Sequence, residues 1–250
     1  MRDCIVIIPT YNEKENVSNI IDAVIALSER FDILIIDDGS PDGTAEIVKE
    51  KQATNTHIHL VQRSGKLGLG TAYIAGFHWA LERDYNYIFE MDADFSHNPS
   101  DLLRLLQACE QGADVSVGSR YVVGGKIENW PLNRKMMSYF ASLYVRLVTF
   151  MPVKDTTGGF VCYTRKALNS IDLRKIWFVG YAFQIEMKYA AHQCGMKIVE
   201  VPITFKDRVL GVSKMSTKIF KEAFWGVLEL RINSIINKNF YKKNALPPVT

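Results

Sequence analysis

The sequence predicts an α/β fold: a mainly parallel sheet with helices on both faces. Two observations carry this. Short, continuous apolar runs such as "CIVIIP", "DILIID" and "IHLVQ" alternate with longer runs whose apolar residues recur at helical spacing. Strands that are apolar throughout are buried on both faces, and strand–helix alternation implies crossover connections between parallel neighbours. The chain has 250 residues, 48% of them hydrophobic, enough for a sizeable core.

Each element has its own signal. After "CIVIIP", the run "ENVSNIIDAVIALSERF" places Val17, Ile20, Ile21, Val24 and Leu27 on one helical face. "DILIID" stops at Asp38-Gly39-Ser40, and "DGTAEIVKEK" reads as a short helix before "IHLVQ". "LGTAYIAGFHWALERD" is amphipathic, and "YNYIFEMD" is a fourth strand. A helix then opens at Pro99, and "ADVSVGSR" is a fifth strand. Beyond Arg120, Gly124, Gly125 and Pro131 mark a loop, followed by a helical run from Arg134 to Phe150. "DTTGGFVCYTRKAL" reads as turn, strand and helix, "GYAFQIEMKYAAHQCG" as a helix and "KIVEVPITF" as a strand. Residues 1–215 form the expected catalytic domain. Residues 216–250 hold an amphipathic helix to about Ile236, with Ile219, Phe220, Ala223, Phe224, Val227 and Leu228 on one face, and then a basic tail.

The formal net charge of +3 does not argue for a nucleic-acid partner. Four scattered cysteines without a CxxC pair suggest neither a disulfide framework nor a zinc site, and point to a reducing cytoplasm. The N-terminal apolar run reads as a strand rather than a signal peptide, and no apolar run is long enough to cross a membrane.

Three polar clusters end three of the strands: "PTYNE", "DDGS" and "DADFSH". In open α/β sheets ligands bind outside the C-terminal ends of the strands, so Asp37, Asp38, Asp92 and Asp94 converge on one rim. Carboxylates so gathered repel one another, and a hard divalent cation relieves the repulsion. Mg²⁺ or Mn²⁺ held by one or two carboxylates takes its remaining ligands from water and phosphate, so the pair Asp92 and Asp94 implies a phosphate-bearing ligand. His97 is either a third ligand or a loop residue. A bare D-x-D is also found in ordinary loops; its occurrence with the other two clusters is what gives it weight.

With these clusters the chain resembles the inverting family-2 glycosyltransferases, which have a GT-A (nucleotide-diphospho-sugar transferase) fold. Within them it is most similar to the dolichol-phosphate, or polyprenyl-phosphate, mannose synthases. The stretches "IIPTYNEKENV", "IIDDGSPDGT", "GKLGLGTAY", "EMDADFSHNP", "GSRY", "NWPLNRKMMS", "TGGF" and "DRVLGVSK" carry the resemblance. It implies that Pro9, Tyr11, Glu13, Ile36 and Asp38 hold the donor's base and ribose. Asp92 and Asp94 hold the metal and diphosphate, with the Ala93 backbone lining the pocket. Arg120, Arg208 and Lys214 face the donor's phosphates or sugar, and Arg134 and Ser138 grip the acceptor phosphate. Asp92, Asp94 and Arg120 are thus the expected catalytic set. Val161 departs from the Arg or Lys found after "TGGF" in many relatives.

The implied reaction moves mannose from GDP-mannose to a dolichyl or undecaprenyl phosphate, giving a β-linked product. Phosphate oxygens are already anionic near neutral pH, so such an acceptor needs little help from a general base. Two alternatives remain: the same chemistry with a UDP-sugar such as UDP-glucose, or transfer to a saccharide hydroxyl, which requires a base. A lipid acceptor implies a membrane surface, so the expected location is peripheral, on the cytoplasmic face. The apolar stripe and lysines of the C-terminal helix fit either a membrane surface or packing on the core. A small membrane-anchoring partner is left open. Glu186 is equally consistent with a place near the site and with a structural ion pair.

Overall fold

The computed structural model describes residues 2–207 and 217–243, without the side chains of 217–223. Along the chain run β1 (Cys4–Thr10), α1 (Val17–Ile25), β2 (Phe31–Asp37), α2 (Thr44–Thr54), β3 (Ile58–Gln62) and α3 (Leu69–Leu81). They are followed by β4 (Tyr87–Glu90), α4 (Asp101–Glu110), β5 (Val115–Ser119), β6 (Lys126–Glu128) and α5 (Leu132–Thr149). Next come β7 (Val161–Thr164), α6 (Arg165–Ser170), α7 (Phe183–Gln193), β8 (Ile198–Pro202), β9 (Thr204–Lys206) and α8 (Thr217–Ile236).

Seven strands form one sheet in the order β3-β2-β1-β4-β7-β5-β8. β3, β2, β1 and β4 are parallel, as are β5 and β8. Successive side chains of a strand point to opposite faces, and here both faces are buried. Ile5 and Ile7 pack with α3 and α7 on one side, and Cys4, Val6 and Ile8 with α1 and α4 on the other. This is the burial that continuous apolar strands imply.

Three features depart from the sequence reading. β7 lies antiparallel between β4 and β5, because the chain returns through the loop after α5 rather than by a crossover. The run "KIVEVPITF" is divided into β8 and β9, and β9 pairs with the short β6 inside the segment read as loop. The turn leading into β6 needs Gly125, because a Cβ there would lie 2.7 Å from the Arg120 carbonyl oxygen.

α8 packs on the body through Val227, Leu230 and Ser234. Of the face expected from the sequence, Val227 is buried, Leu228 is half-buried and Phe224 is exposed. The side chains of Ile219, Phe220 and Ala223 lie outside the described residues. No helix among the described residues is long and apolar enough to cross a membrane.

Candidate active site

The parallel register places Thr10 level with Asp37 and Ile7 level with Glu90, so the ends of β2, β1 and β4 make one rim. Asp37 and Asp38 are committed to internal partners there. Asp37 accepts hydrogen bonds from Thr10 Oγ1 (3.0 Å), Ser40 N (3.0 Å) and Ser40 Oγ (2.6 Å). Asp38 receives Arg63 Nε at 2.6 Å and Leu67 N at 3.2 Å. Arg63 in turn holds Thr71 and the Gly68 carbonyl. Asp38 therefore shapes the "GKLGLG" loop, which brings Lys66 Nζ to 4.9 Å from the centre of the Tyr11 ring. Pro9, Tyr11 and Glu13 sit partly exposed on this rim. The Ile36 side chain belongs to the core, leaving its backbone to face the rim.

β4 ends at Glu90, and the chain turns through Asp92, Ala93 and Asp94. Ala93 is buried, whereas both aspartates are half-buried. Ser96 N donates to Asp94 Oδ1 (3.0 Å), and Phe95 adopts a left-handed φ of 58°. That backbone is costly for a bulky residue, and such strain concentrates at functional loops. Among the described residues no group of three or more His, Cys, Asp or Glu side chains gathers to cage a metal. A pair of half-buried carboxylates still fits a magnesium-type ion, which rarely takes an all-protein cage and completes its shell with phosphate oxygens and water. His97 is buried between Phe160 (4.8 Å between ring centres) and Phe205 (5.2 Å). Burial pushes its pKa down to about 4, so it is a neutral packing residue at neutral pH.

Arg120 follows β5 and is buried. Its Nε and Nη2 clamp Asp155 at 2.7 and 2.6 Å, its backbone N–H adds a third bond at 2.9 Å, and Nη2 also reaches Thr157. Burial pushes the Asp155 carboxyl up, but the Arg120 charge outweighs it and the net pKa is low. The Arg120 pKa is lowered by burial and raised more by Asp155, with Asp92 adding a further favourable field. Arg120 thus lies within electrostatic reach of the D-x-D, but in the grip of Asp155. Arg134 sits in the first turn of α5, paired with Asp207 at 3.0 Å and 4.0 Å over the Trp130 ring. Ser138 lies one turn on, near Tyr121. The structure therefore brings the rim acids, Arg120, Arg134 and Ser138 into neighbouring positions. Arg208 and Lys214 lie outside the described residues.

Several supporting residues were missed in the sequence. Asp155, in "DTTGG", gave no sign of being the partner of Arg120. Behind the D-x-D, buried Glu90 faces buried Lys188. Burial pushes the Glu90 pKa up and the Lys188 pKa down, and each is opposed by the other's charge. Lys188 Nζ also donates to the carbonyls of Gly158 (2.6 Å), Gln184 (3.0 Å) and Thr156 (3.3 Å), holding the loop that carries Asp155. A charged residue inside "FEMD", an otherwise apolar strand, was the available signal.

Glu186 has a structural role, with backbone amides and a tyrosine as partners rather than a cation. It accepts from Trp177 N (3.0 Å), Phe178 N (2.9 Å) and the Tyr241 hydroxyl (3.1 Å). Burial raises its pKa from 4.5 to about 7, against those three hydrogen bonds. Because the folded pKa is the higher one, the unfolded chain releases this proton first as pH rises. Stability falls between pH 4.5 and 7 and levels off above, by about 3 kcal/mol for this group. Glu186→Gln cannot titrate. In urea unfolding its stability relative to the parent rises across that window, and a constant difference would show that Glu186 does not titrate there.

A sheet rim with paired aspartates after a central strand and a buried arginine beside them is the architecture of a nucleotide-diphospho-sugar transferase of the GT-A type. The protein is a glycosyltransferase and belongs to glycosyl transferase family 2, whose sequence profile matches residues 5–172. It is 45% identical over 235 residues to the polyprenol monophosphomannose synthase of Mycolicibacterium smegmatis, covering 94% of this chain and 89% of that one. It is 46% identical over 226 residues to the undecaprenyl-phosphate mannosyltransferase of Micrococcus luteus, covering 88% of this chain and 93% of the relative. The fold also matches Mycobacterium tuberculosis glucosyl-3-phosphoglycerate synthase, crystallised with Mn²⁺, UDP and glucosyl-3-phosphoglycerate. The TM-score is 0.65 at 15% identity, covering 97% of this chain and 82% of that one.

Proposed function

We propose that the protein transfers mannose from GDP-mannose to a polyprenyl phosphate, with inversion at the anomeric carbon. The observation that carries this is the near full-length likeness to two proteins named for mannosyl transfer to such lipids. The rim chemistry agrees, because paired acids and arginines suit a phosphate acceptor that brings its own negative oxygen. That oxygen attacks the anomeric carbon in line, the bond to the donor's diphosphate breaks, and the electron pair leaves with GDP.

In this reading Asp92 and Asp94 hold a divalent cation, Mg²⁺ or Mn²⁺. When bound, it neutralises charge developing on the leaving diphosphate. Tyr11, Glu13, Pro9 and the backbone at Ile36 and Ala93 line the donor pocket. Asp38 orders the loop over Tyr11. Arg120 adds positive potential beside the diphosphate, and Arg208 and Lys214 are assigned to the donor's phosphates from sequence alone. Arg134 exchanges Asp207 for the acceptor phosphate, with Ser138 donating from the same helix face. The site works from the cytoplasmic face of a membrane, with or without a small anchoring partner.

The test is transfer from GDP-mannose, UDP-glucose and UDP-N-acetylglucosamine to a short, soluble polyprenyl phosphate, with Mg²⁺ or Mn²⁺ and an EDTA control. Metal-dependent transfer from GDP-mannose alone, giving a β-linked product by NMR, is the expected result. Transfer from a UDP-sugar would correct the donor. An α-linked product would overturn the in-line reading. Transfer only to a saccharide hydroxyl would replace the acceptor.

A further inference from the structure

The residues just after α8 are docked on the body of the protein. Lys242 pairs with Ile171 in an antiparallel bridge, Asp172 N donates to the Tyr241 carbonyl at 2.8 Å, and Lys243 N donates to the Ser170 carbonyl at 3.0 Å. Tyr241 is 1% exposed, and its hydroxyl donates to Glu186 Oε1. The other carboxylate oxygen, Oε2, accepts the backbone amides of Trp177 and Phe178. Two adjacent amides on one oxygen fix the start of the stretch 176–182 that leads into α7. Burying a carboxylate is costly unless hydrogen bonds compensate it. What the carboxylate supplies, and an apolar side chain would not, is a fixed position for these three donors.

From this stretch the contacts pass to the rim. The Val179 carbonyl accepts Gly70 N at 2.8 Å. A Cβ at Gly70 would collide with the Phe178 carbonyl oxygen, so backbone lies directly on backbone there, and a Cβ at Gly226 would collide with the Phe178 ring. Phe178 is thus wedged between α8 and the first turn of α3. That turn closes the "GKLGLG" loop. The Gly68 carbonyl accepts Arg63 Nη2 at 3.2 Å, Arg63 holds Asp38, and Asp38 holds Leu67 N. Lys66 on the same loop sits over the Tyr11 ring. Bonds and close contacts therefore run without a break from Tyr241 through Glu186 to Asp38 and Tyr11. Contiguous networks of this kind carry coupling when a measurement shows that both ends respond.

We propose that Glu186 is a positioning residue for the donor pocket. By holding Trp177, Phe178 and Tyr241 at once, it makes the set of the "GKLGLG" loop depend on the docked segment after α8. The proposal rests on the assignment of Tyr11 and Asp38 to the donor nucleotide. Trp177, Val179 and Tyr181 are exposed, so side-chain burial fixes residues 176–182 only in part. The amide bonds to Glu186 supply the rest. Tyr241 lies 55 residues from Glu186 in sequence, so the loop takes its position from a distant part of the chain. Small displacements of groups that orient a substrate are expensive in binding and rate, even when their cause lies far from the reacting atoms.

Amide hydrogen exchange of the full chain, read without any ligand, measures the coupling directly. The Leu67 and Gly70 amides are expected to exchange about threefold faster in Tyr241→Phe and at least about tenfold faster in Glu186→Ala. Ser234→Ala is the control. It removes the neighbouring hydrogen bond between Tyr189 and Ser234, which joins α7 to α8 away from residues 176–182, and leaves both amides at the parental rate. The KM for GDP-mannose follows the exchange, rising by similar factors while kcat stays within about twofold. Glu186→Gln keeps an oxygen for the two amides and recovers most of the change. Parental exchange at Leu67 and Gly70 in Glu186→Ala would overturn the proposal. An equal rise in Ser234→Ala would do so too, by showing general loosening, as would a parental KM in a variant whose loop exchanges faster. If Glu186→Ala does not fold, Tyr241→Phe, which loses a single bond, decides on the same readings. No transfer by the parent from any nucleotide-sugar, with exchange as expected, would count against the proposed reaction and leave the coupling supported.

Discussion

Asp94→Asn is expected to lower the rate of sugar transfer about a thousandfold while leaving the fold and its melting temperature unchanged. The substitution separates charge from shape. Asp94 Oδ1 accepts from Ser96 N at 3.0 Å, and an asparagine oxygen accepts the same bond. The turn through Phe95 keeps its template. What disappears is one of two negative charges at the end of β4. Removing one electrostatic contact from a transition state that develops charge costs on the order of 10²–10³ in rate, and loss of a metal's grip adds to that. Initial rates across a Mn²⁺ titration read the effect. Excess metal is expected to recover part of the rate for Asp94→Asn and little for the double variant with Asp92→Asn. A rate within tenfold of the parent at limiting metal would show that the Asp94 charge does not hold a cation during transfer.

The candidate site was legible where placement on the rim follows from local sequence. Acids directly after an apolar strand must leave the sheet at its edge, and strand order in a parallel sheet brings such edges together. Asp92 and Asp94 could therefore be read from "FEMDADF". Asp37 and Asp38 were placed on the rim by the same logic, but burial is non-local. Their partners, Ser40 and Arg63, turn them into supports. The antiparallel entry of β7 was hidden because a strand buried on both faces has the same apolar pattern whatever its direction. Helical spacing showed that α5 and α8 have faces but not which face is inward. In both helices several large apolar side chains face outward, so the rule that the apolar face is buried does not give their orientation. Arg120 was legible as a candidate cation of the site, yet its partner lies 35 residues away in sequence.

That partner gives the largest stability effect. Asp155→Ala is expected to destabilise the protein by about 3–5 kcal/mol, because it leaves a buried guanidinium without its counter-charge. Both residues are almost fully buried, so water cannot replace the carboxylate without opening the site. The loss extends to Gly158 N, which donates to Asp155 Oδ1 at 3.0 Å, and to the Arg120 backbone N–H. The double variant Arg120→Met, Asp155→Leu tests whether charge or shape is at issue. Replacing a buried pair with apolar residues of similar size is often neutral, so much of the stability returns. The two orphaned amides keep recovery partial, at about 1–3 kcal/mol for each that stays unsatisfied. Transfer should not return, since the positive potential beside Asp92 is gone. Urea unfolding and transfer rates, measured on the same preparations, separate the two roles. Recovery of both in the double variant would reduce Arg120 to a structural residue. Recovery of stability alone would mean that the fold bears the cost of this buried ion pair to keep a fixed positive charge next to the diphosphate.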